Sequence, residues 1–290
     1  MSELIAKANE EAVEAWGGVL FDRWLRYRDV LAHSIRPFSD AAFLLCDPRP
    51  GERALDVGCG LGETTMQLAE LVGPGGEVVG IDAGERFVER SAAEAAAAGV
   101  SNVTYIEGDV QIADLGAGFD LTFSRFGTMF FANPVAALRN VRSALRPGGR
   151  LCMVVWRNKL ANEWLHRAEL VVERFLERPE ETDEPTCGPG PFSMANADTV
   201  SDIIAGAGFE QIALRRCDSA YEMGADMNTA IEVVMAIGPA GELIRLAADD
   251  AEAIRPRLEA ELRESYADLE RDDGVYASAS TWIVTAVNPG

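Results

Sequence analysis

The spacing of apolar residues divides the chain into a helical start, an alternating middle and a mixed remainder. Between residues 9 and 46, apolar positions recur every three or four residues, which predicts amphipathic helix with an aromatic face. The residues that carry this pattern are Trp16, Leu20, Trp24 and Tyr27. From residue 53 to residue 156, short apolar runs alternate with helical stretches, as they do in βαβ units. The pattern therefore predicts an α/β fold with a parallel sheet.

The apolar runs predict a sheet of seven strands joined by helices. The predicted strands are 53–57, 77–81, 103–107, 119–124, 150–156, 209–217 and 281–287. The predicted helices are 63–72, 84–98, 134–146, 158–178, 197–207, 228–237 and 240–270. Residues 110–118 are too short and glycine-rich to predict as helix, and the proline, glycine and acid in 179–193 indicate a loop. No internal repeat divides the chain, so one sheet with a late helical insertion is expected rather than two domains.

Composition narrows the classes of partner. Apolar residues make up 48% of the 290 residues, which is enough for a sizeable core. The 26 basic residues stand against 47 acidic ones, and a net charge of −21 without a basic patch argues against a nucleic-acid partner. The five cysteines (Cys46, Cys59, Cys152, Cys187 and Cys217) form no C-x-x-C pair, and no histidine stands at metal-ligand spacing. Reduced thiols and no metal are expected.

The N-terminal residues and the overall hydropathy indicate where in the cell the protein is expected. Residues 1–16 contain acidic side chains and no long apolar run, unlike a signal peptide. No stretch approaches the length of a membrane-spanning helix. The sequence therefore predicts a cytoplasmic protein without a membrane span.

The stretch "ALDVGCGLGETT" (54–65) follows the first predicted strand with Gly58, Gly60 and Gly62. Glycines between a parallel strand and a helix let the backbone approach a ligand closely. A dinucleotide loop requires G-x-G-x-x-G, whereas the spacing here is G-x-G-x-G, and no G-K-[ST] of a phosphate loop follows. The spacing favours a ligand without phosphates, and a tight turn with no ligand is the alternative.

Acidic residues follow the next two strands. Asp82 ends the second strand about twenty residues past the glycines, where a carboxylate can accept hydrogen bonds from ribose hydroxyls. Asp109 follows the third strand and could accept from an adenine amino group. The alternatives are an N-cap for Asp82 and an Asx turn for Asp109. Because carboxyl ends of parallel strands meet at one edge of a sheet, these features together predict a ligand crevice there.

Five blocks in this order resemble the class I S-adenosylmethionine-dependent methyltransferases, in particular the ubiquinone- and menaquinone-biosynthesis group. They are LDVGCGLG (55–62), VVGIDAG (78–84), IEGDVQ (106–111), FDLTFSRFGTMFFANP (119–134) and LRPGGRLCMVVW (145–156), with weaker likeness at GPGPF (188–192), AGF (207–209) and TWIVTA (281–286). The resemblance implies a Rossmann-like seven-stranded sheet, mostly parallel with an antiparallel last strand. It also implies one methyltransferase domain over 1–290, with a helical lid (1–48), a cofactor-binding core (49–156) and lid helices with sheet-completing strands (157–290).

The resemblance also implies roles for residues of the core, with S-adenosylmethionine as cofactor. Asp56 and the backbone of Gly58, Gly60 and Gly62, with Cys59 in the same loop, would hold the methionine portion. Asp82, followed by Ala83, would bind the ribose, and Asp109 with Val110 would flank the adenine. Ser124, Arg125 and Phe126 would lie beside the sulfonium. The chain lacks the Pro-Pro-Tyr type motif of the amino-methylating DNA and glutamine enzymes, which lowers the odds of those substrates.

The acceptor is expected to be a small, mostly apolar molecule such as a quinone, phenol or other heterocycle. The reason is the aromatic content of the expected lid and insertion, where Trp16, Trp24, Tyr27, Phe130 and Trp164 are the pocket candidates. The alternative for each of them is a place in the aromatic core where the helices dock on the sheet. A base is required only if the acceptor must lose a proton, and His33, His166 and Tyr27 are the candidates. Surface or packing roles for both histidines remain open, so no base is assigned.

Two other functions stay open at this point. An NAD-dependent oxidoreductase could use a similar sheet, although the glycine spacing argues against it. A protein that keeps the cofactor site without turnover, as a partner subunit or regulator, is excluded by no feature of the sequence. The sequence leaves the oligomeric state open, with a homodimer as one option.

Overall fold

A single twisted sheet forms the centre of the computed structural model, which describes residues 5–177 and 188–290. Its strands are β1 (Arg53–Val57), β2 (Glu77–Asp82), β3 (Val103–Glu107), β4 (Phe119–Arg125), β5 (Leu145–Trp156), β6 (Glu210–Gly224), β7 (Glu270–Arg271) and β8 (Gly274–Val287). The order across the sheet is β3-β2-β1-β4-β5-β8-β6, and β7 pairs with β8.

The first five strands run parallel, and β8 enters antiparallel between β5 and β6. This confirms the predicted mostly parallel sheet with an antiparallel last strand, and the short β7 adds an eighth strand to the seven predicted. The runs in β1, β2, β4 and β5 are largely buried, as expected for parallel strands covered on both faces.

Ten α-helices surround the sheet in the described part of the chain. They are α1 (Glu10–Ala15), α2 (Phe21–Arg26), α3 (Arg28–Cys46), α4 (Glu63–Val72), α5 (Glu85–Ala97), α6 (Pro134–Ala144), α7 (Glu163–Val172), α8 (Ala197–Gly206), α9 (Met227–Ala236) and α10 (Gly238–Tyr266). The helix α3 packs on β5 and β6, α4 and α5 pack near β1, β2 and β3, and α7 packs against α10.

The N-terminal helix predicted over 9–46 is divided into α1, a π-helical turn (Trp16–Leu20), α2 and α3. The division follows from Gly17 and Gly18, because glycine has the lowest helix propensity after proline. Gly18 leaves the helical region, with φ −100° and ψ −119°. The segment before α3 is therefore a bent helical unit rather than one rod.

Other predicted boundaries also differ from the structure. The strands β6 and β8 extend beyond 209–217 and 281–287 because they pair through small and polar residues, such as Ser219 with Ala279, that carry no apolar signal. The helix predicted over 158–178 is shorter in the structure and ends at Val172. It begins only at Glu163, because the buried Asn162 before it donates to the carbonyls of Arg157 and Asn158. Of the predicted loop 179–193, residues 179–187 lie outside the described residues, and turns occupy 191–194.

Within residues 5–177 and 188–290, no helix combines the length and the apolar character needed to cross a bilayer.

Candidate functional site

A cavity of about 620 Å³ opens at the carboxyl ends of the parallel strands. The loops after β1, β2, β3 and β4 form one side, and the N-terminal helices cover it. Because β1 and β2 lie on one side of β4 while β5 and β6 lie on the other, the cavity has two ends. We call these the glycine-loop end, beside Gly58–Gly62, and the aromatic end, beside Trp156, Trp164 and Tyr221.

The glycine loop is shaped by close backbone contacts. Gly58 has φ +67°, and a Cβ placed there would lie 3.0 Å from the Cα of Gly127. Gly62 has φ +78°, and its Cβ would lie 2.7 Å from the Tyr105 hydroxyl. Only glycine meets both the positive φ and the space at these positions. The missing side chains therefore let Gly127 and Tyr105 pack tightly against the loop, and Gly58 lines the cavity.

Asp82 braces this loop from the end of β2. Its carboxylate accepts hydrogen bonds from the backbone N–H of Gly60 at 2.9 Å and of Gly84 at 3.0 Å. Burial raises the pKa of Asp82, and the N–H donors of Gly84 and Gly60 oppose that rise. Gly84, not Asp82, is the N-cap of α5. Asp82 thus fixes the loop geometry while lining the cavity.

Asp56 lies beneath the glycine loop rather than on the cavity surface, and it is fully buried. One carboxylate oxygen, Oδ2, accepts from the hydroxyls of Thr64 and Thr65, both at 2.7 Å. The other, Oδ1, has no hydrogen-bond partner among the described residues. Burial raises the pKa of Asp56 to about 6, against the lowering effect of the two threonine hydroxyls.

Glu63 and Arg125 form an ion pair at 2.7 Å on the cavity wall. The Arg125 guanidinium, whose side chain is only 8% exposed, also donates to the hydroxyl of Ser39 at 2.8 Å. A fixed pair of opposite charges beside a helix N-terminus suits a zwitterionic group, since each half can meet its counter-charge.

Asp109 fastens the N-terminal segment to the sheet. Its Oδ2 accepts from the Asn9 side-chain amide at 2.7 Å and from the Ala6 backbone N–H at 3.1 Å. Its Oδ1 accepts from the backbone N–H of Gln111 at 2.9 Å, which is the Asx turn expected as the alternative reading. Asn9 in turn accepts from the backbone N–H of Ala132. The segment before α1 is therefore held directly over the end of β3.

A second attachment of the N-terminal unit comes from Arg86 on α5. Its guanidinium donates to the carbonyls of Gly17 and Gly18 and to the carboxylate of Asp22 at 2.6 Å. It also lies over the Phe21 ring at 4.1 Å. One side chain thus holds the bent region of the N-terminal unit against α5.

We expect Arg86→Gln to speed amide hydrogen exchange in residues 16–22 by about fivefold, because exposed ion pairs and their hydrogen bonds contribute modestly to local opening. Arg90→Gln is the matched control, since Arg90 lies on the same helix and, among the described residues, bonds only to Glu94. Equal exchange in the two variants, measured by mass spectrometry, would show that Arg86 does not hold the unit.

The aromatic end is built from stacked rings. Phe126 stacks on Trp156 with centroids 4.0 Å apart, and Trp164 stacks on Tyr221 at 3.9 Å. The Trp164 indole nitrogen and the Tyr221 hydroxyl are buried without a hydrogen-bond partner among the described residues. Burial also raises the pKa of Tyr221 far above its ordinary range, so the phenol stays protonated. This wall is apolar with two unused donors.

Most of the predicted site residues lie around this cavity, but the three candidate bases do not line it. The predicted cofactor residues on its surface are Gly58, Cys59, Gly60, Asp82, Ala83, Asp109, Val110, Arg125 and Phe126. Asp56, Gly62 and Ser124 lie behind it, and the Ser124 hydroxyl donates to the Val57 carbonyl at 2.7 Å. The predicted pocket residues Trp16, Trp24, Phe130 and Trp164 line it, whereas Tyr27 lies in a separate pocket.

The three candidate bases, His33, His166 and Tyr27, each lie near a carboxylate and do not line the cavity. His33 is 73% exposed and lies 3.0 Å from the Glu222 carboxylate. The Nδ1 of His166 lies 3.8 Å from Glu169, which itself lines the cavity. Tyr27 lies 3.5 Å from Glu232. None of the three side chains therefore lies where it could take a proton directly from an acceptor in the cavity, and no base is assigned.

Sequence reasoning missed several cavity residues. Trp156 ends β5, where the apolar run predicts a strand but no cavity contact. Tyr221 lies on the unpredicted extension of β6. Glu169 and Glu242, each on a helix, gave no signal apart from their charge. In the described part of the chain, no group of three or more His, Cys, Asp or Glu side chains is arranged to hold a metal ion.

Residues 48–187 match the family model described as a methyltransferase domain. Nocamycin O-methyltransferase of Saccharothrix syringae is 41% identical over 46% of this chain and 48% of that protein. Demethylmenaquinone methyltransferase of Staphylococcus aureus (strain JH9) is 36% identical over 35% of this chain and 42% of that protein. The chain therefore spans a little under half the length of these two curated relatives.

A solved structure, the YcgJ protein from Bacillus subtilis, superposes over 89% of this chain and 99% of that chain, with a TM-score of 0.55 and 17% identity. At that identity the likeness concerns the fold alone. The predicted resemblance to methyltransferases is confirmed over residues 48–187, which match the methyltransferase-domain model.

Proposed function

We propose that the protein transfers a methyl group from S-adenosylmethionine to a small, neutral, oxygen-bearing aromatic molecule. The observation that carries this proposal is one cavity with a glycine loop and an acidic residue at one end and stacked aromatic rings at the other. Such a cavity can hold a donor and an acceptor side by side, which is the main requirement of a displacement governed by positioning.

The glycine-loop end fits the cofactor. Gly58, Cys59 and Gly60 of the loop line the cavity, and the Gly127 backbone packs where a Gly58 side chain would lie. The Glu63–Arg125 pair offers opposite charges to the amino and carboxylate groups of the methionine portion. Asp82 retains lone pairs for ribose hydroxyls beyond those used by Gly60 and Gly84. When bound, S-adenosylmethionine supplies an activated methyl group.

Asp56 supports this site from behind. Asp56 is buried, it does not line the cavity, and its Oδ1 has no partner among the described residues. We therefore propose that Asp56 acts on the cofactor's amino-acid portion through its electrostatic field and not by direct contact. Asp109 already binds the N-terminal segment, which we propose encloses the adenine from above. The N-terminal unit would then act as a lid that excludes water.

Charge at the aromatic end favours a neutral acceptor. Each of the two cavity carboxylates there forms an ion pair with a basic side chain: Glu169 with Lys159 at 3.0 Å and Glu242 with Arg245 at 2.9 Å. A cationic amine would therefore find little uncompensated negative charge. The unpaired Trp164 N–H and Tyr221 O–H are donors suited to an oxygen on the acceptor.

The relatives support the same substrate class. One is named as an O-methyltransferase for nocamycin and the other as acting on demethylmenaquinone. We therefore propose a phenol-, enol- or quinone-type acceptor. Cytoplasmic location and a homodimer stay predictions.

The decisive experiment pairs calorimetry with a transfer assay. We expect S-adenosylhomocysteine to bind at least about a hundredfold more tightly than NAD, because the glycine spacing suits a ligand without pyrophosphate. A panel of phenols, hydroxyquinones and aromatic amines is then incubated with methyl-labelled S-adenosylmethionine, and label is expected in oxygen-bearing members. Tight binding without transfer to any acceptor would favour a non-catalytic partner, and preferential NAD binding would overturn the proposal.

A further inference from the structure

A second pocket of about 610 Å³ lies between α2, α9 and α10, apart from the glycine loop and the stacked rings. Four arginines from two of these helices line it: Arg23, Arg26, Arg255 and Arg263. Only two carboxylates, Glu232 and Glu259, line the same space. In a chain with 26 basic and 47 acidic residues, this concentration of positive charge is contrary to the overall balance. We call this space the arginine pocket.

Two of the four guanidinium groups have a carboxylate partner and two do not. Arg26 pairs with Glu232 at 3.1 Å, and Arg255 pairs with Glu252 at 2.8 Å. Arg23 instead donates to backbone carbonyls, and Arg263 donates to the side-chain oxygen of Asn228 at 2.7 Å. Across residues 5–177 and 188–290, no carboxylate lies within ion-pair distance of Arg23 or Arg263. The carboxylates of Glu242 and Asp226 attract the Arg23 and Arg263 guanidinium groups from beyond ion-pair distance.

Burial and neighbouring positive charges disfavour the charged form of Arg23. Burial, followed by repulsion from Arg245, lowers the pKa of the Arg23 guanidinium, and the attraction of Glu242 offsets this lowering only in part. An anion placed among these side chains would relieve that repulsion, since charge-assisted hydrogen bonds to guanidinium are strong in a partly buried site. The floor of the pocket is apolar, with Ile231, Met235 and Ile244.

We propose that the arginine pocket binds the phosphoryl dianion of a small molecule. The planar guanidinium fork matches the geometry of phosphate oxygens and donates two parallel hydrogen bonds, which an ammonium cannot do. The apolar floor accommodates an organic group attached to the phosphate. Ala236 belongs both to this pocket and to the methyltransferase cavity, so the two sites share a wall.

The test is calorimetric titration with inorganic phosphate and with phenyl phosphate at low ionic strength, against chloride at the same ionic strength. We expect saturable binding with one site per chain. Arg263→Gln should weaken phosphate binding by about tenfold, the effect of losing one charge-assisted hydrogen-bonding group. Glu259→Gln should strengthen it several-fold, because a like charge leaves the pocket.

Arg36→Gln is the control, because it also removes one positive charge but from an exposed side chain of α3 that pairs with Asp40. Phosphate affinity should not change in this variant. Tighter binding of phenyl phosphate than of inorganic phosphate identifies a phosphorylated organic ligand, and equal affinities identify free phosphate; both support the site. Absence of saturable heat, or equal losses in Arg36→Gln and Arg263→Gln, overturns it. None of these outcomes depends on methyl transfer.

Discussion

Replacing Asp82 with alanine should weaken binding of S-adenosylhomocysteine by about a hundredfold, since two hydrogen bonds to a carboxylate are each worth about 1.5 kcal/mol or more. The loss has two sources. The ribose would lose its acceptor, and the backbone N–H groups of Gly60 and Gly84 would lose the partner that fixes the glycine loop. Asp82→Asn keeps one acceptor and should lie between wild type and Asp82→Ala. Isothermal titration calorimetry measures all three.

Glu107→Ala is the matched control for Asp82. Glu107 pairs in register with Asp82 at the end of the neighbouring strand β3, and it is exposed. The same change of charge at the same edge of the sheet should leave the affinity within about twofold, because exposed charges interact weakly through water. Unchanged affinity in Asp82→Ala, with circular dichroism confirming the fold, would contradict the ribose assignment.

Asp56→Asn should change how the stability of the cofactor-free protein depends on pH. Burial raises the pKa of Asp56 from its ordinary 3.8 to about 6, so the folded state favours the protonated form. The resulting stabilisation is complete below the unfolded pKa and is lost as pH rises through the folded pKa. The stabilisation lost over the whole titration is about 3 kcal/mol. About half of it is lost between about pH 5 and about pH 8.

The measurement is urea unfolding of wild type and Asp56→Asn across that range. The free energy of unfolding of the variant should rise relative to wild type by about 1.4 kcal/mol from the acidic to the basic end. Asp120→Asn is the control, because donors from Arg53 and Arg146 outweigh burial and lower the pKa of Asp120. Its difference from wild type should stay flat above about pH 5. A flat difference for Asp56→Asn as well would mean that Asp56 is ionised throughout.

The parallel half of the fold could be predicted from the sequence because its strands are buried on both faces. The bounds of β1, which is largely buried, agree with the predicted 53–57. Those of β3 agree with the predicted 103–107 although β3 is less buried, because turn signals mark both of its ends. The extensions of β6 and β8 could not be predicted. They are stabilised by pairing with each other, and their small polar residues reveal that pairing only in three dimensions.

The candidate site also has one part that could be predicted from the sequence and another part that could not. The glycine loop and Asp82 are close in sequence to strand ends, so their placement follows from the βαβ pattern. The contact between Asn9 and Asp109 joins residues 100 positions apart, and no local pattern encodes it. The same is true of the stack between Trp164 and Tyr221, where one ring comes from a helix and the other from an unpredicted part of a strand.

The place of β8 in the sheet bears on how quickly the molecule folds. Met153 of β5 pairs with Val284 of β8, and β6 reaches the rest of the sheet only through β8. The parallel strands can therefore associate while β6 still lacks its partner. Contacts between residues so distant in sequence slow folding, because the entropy of closing the intervening loop is lost before the pairing compensates for it. We expect hydrogen-exchange protection during refolding to reach β1 and β4 before β6.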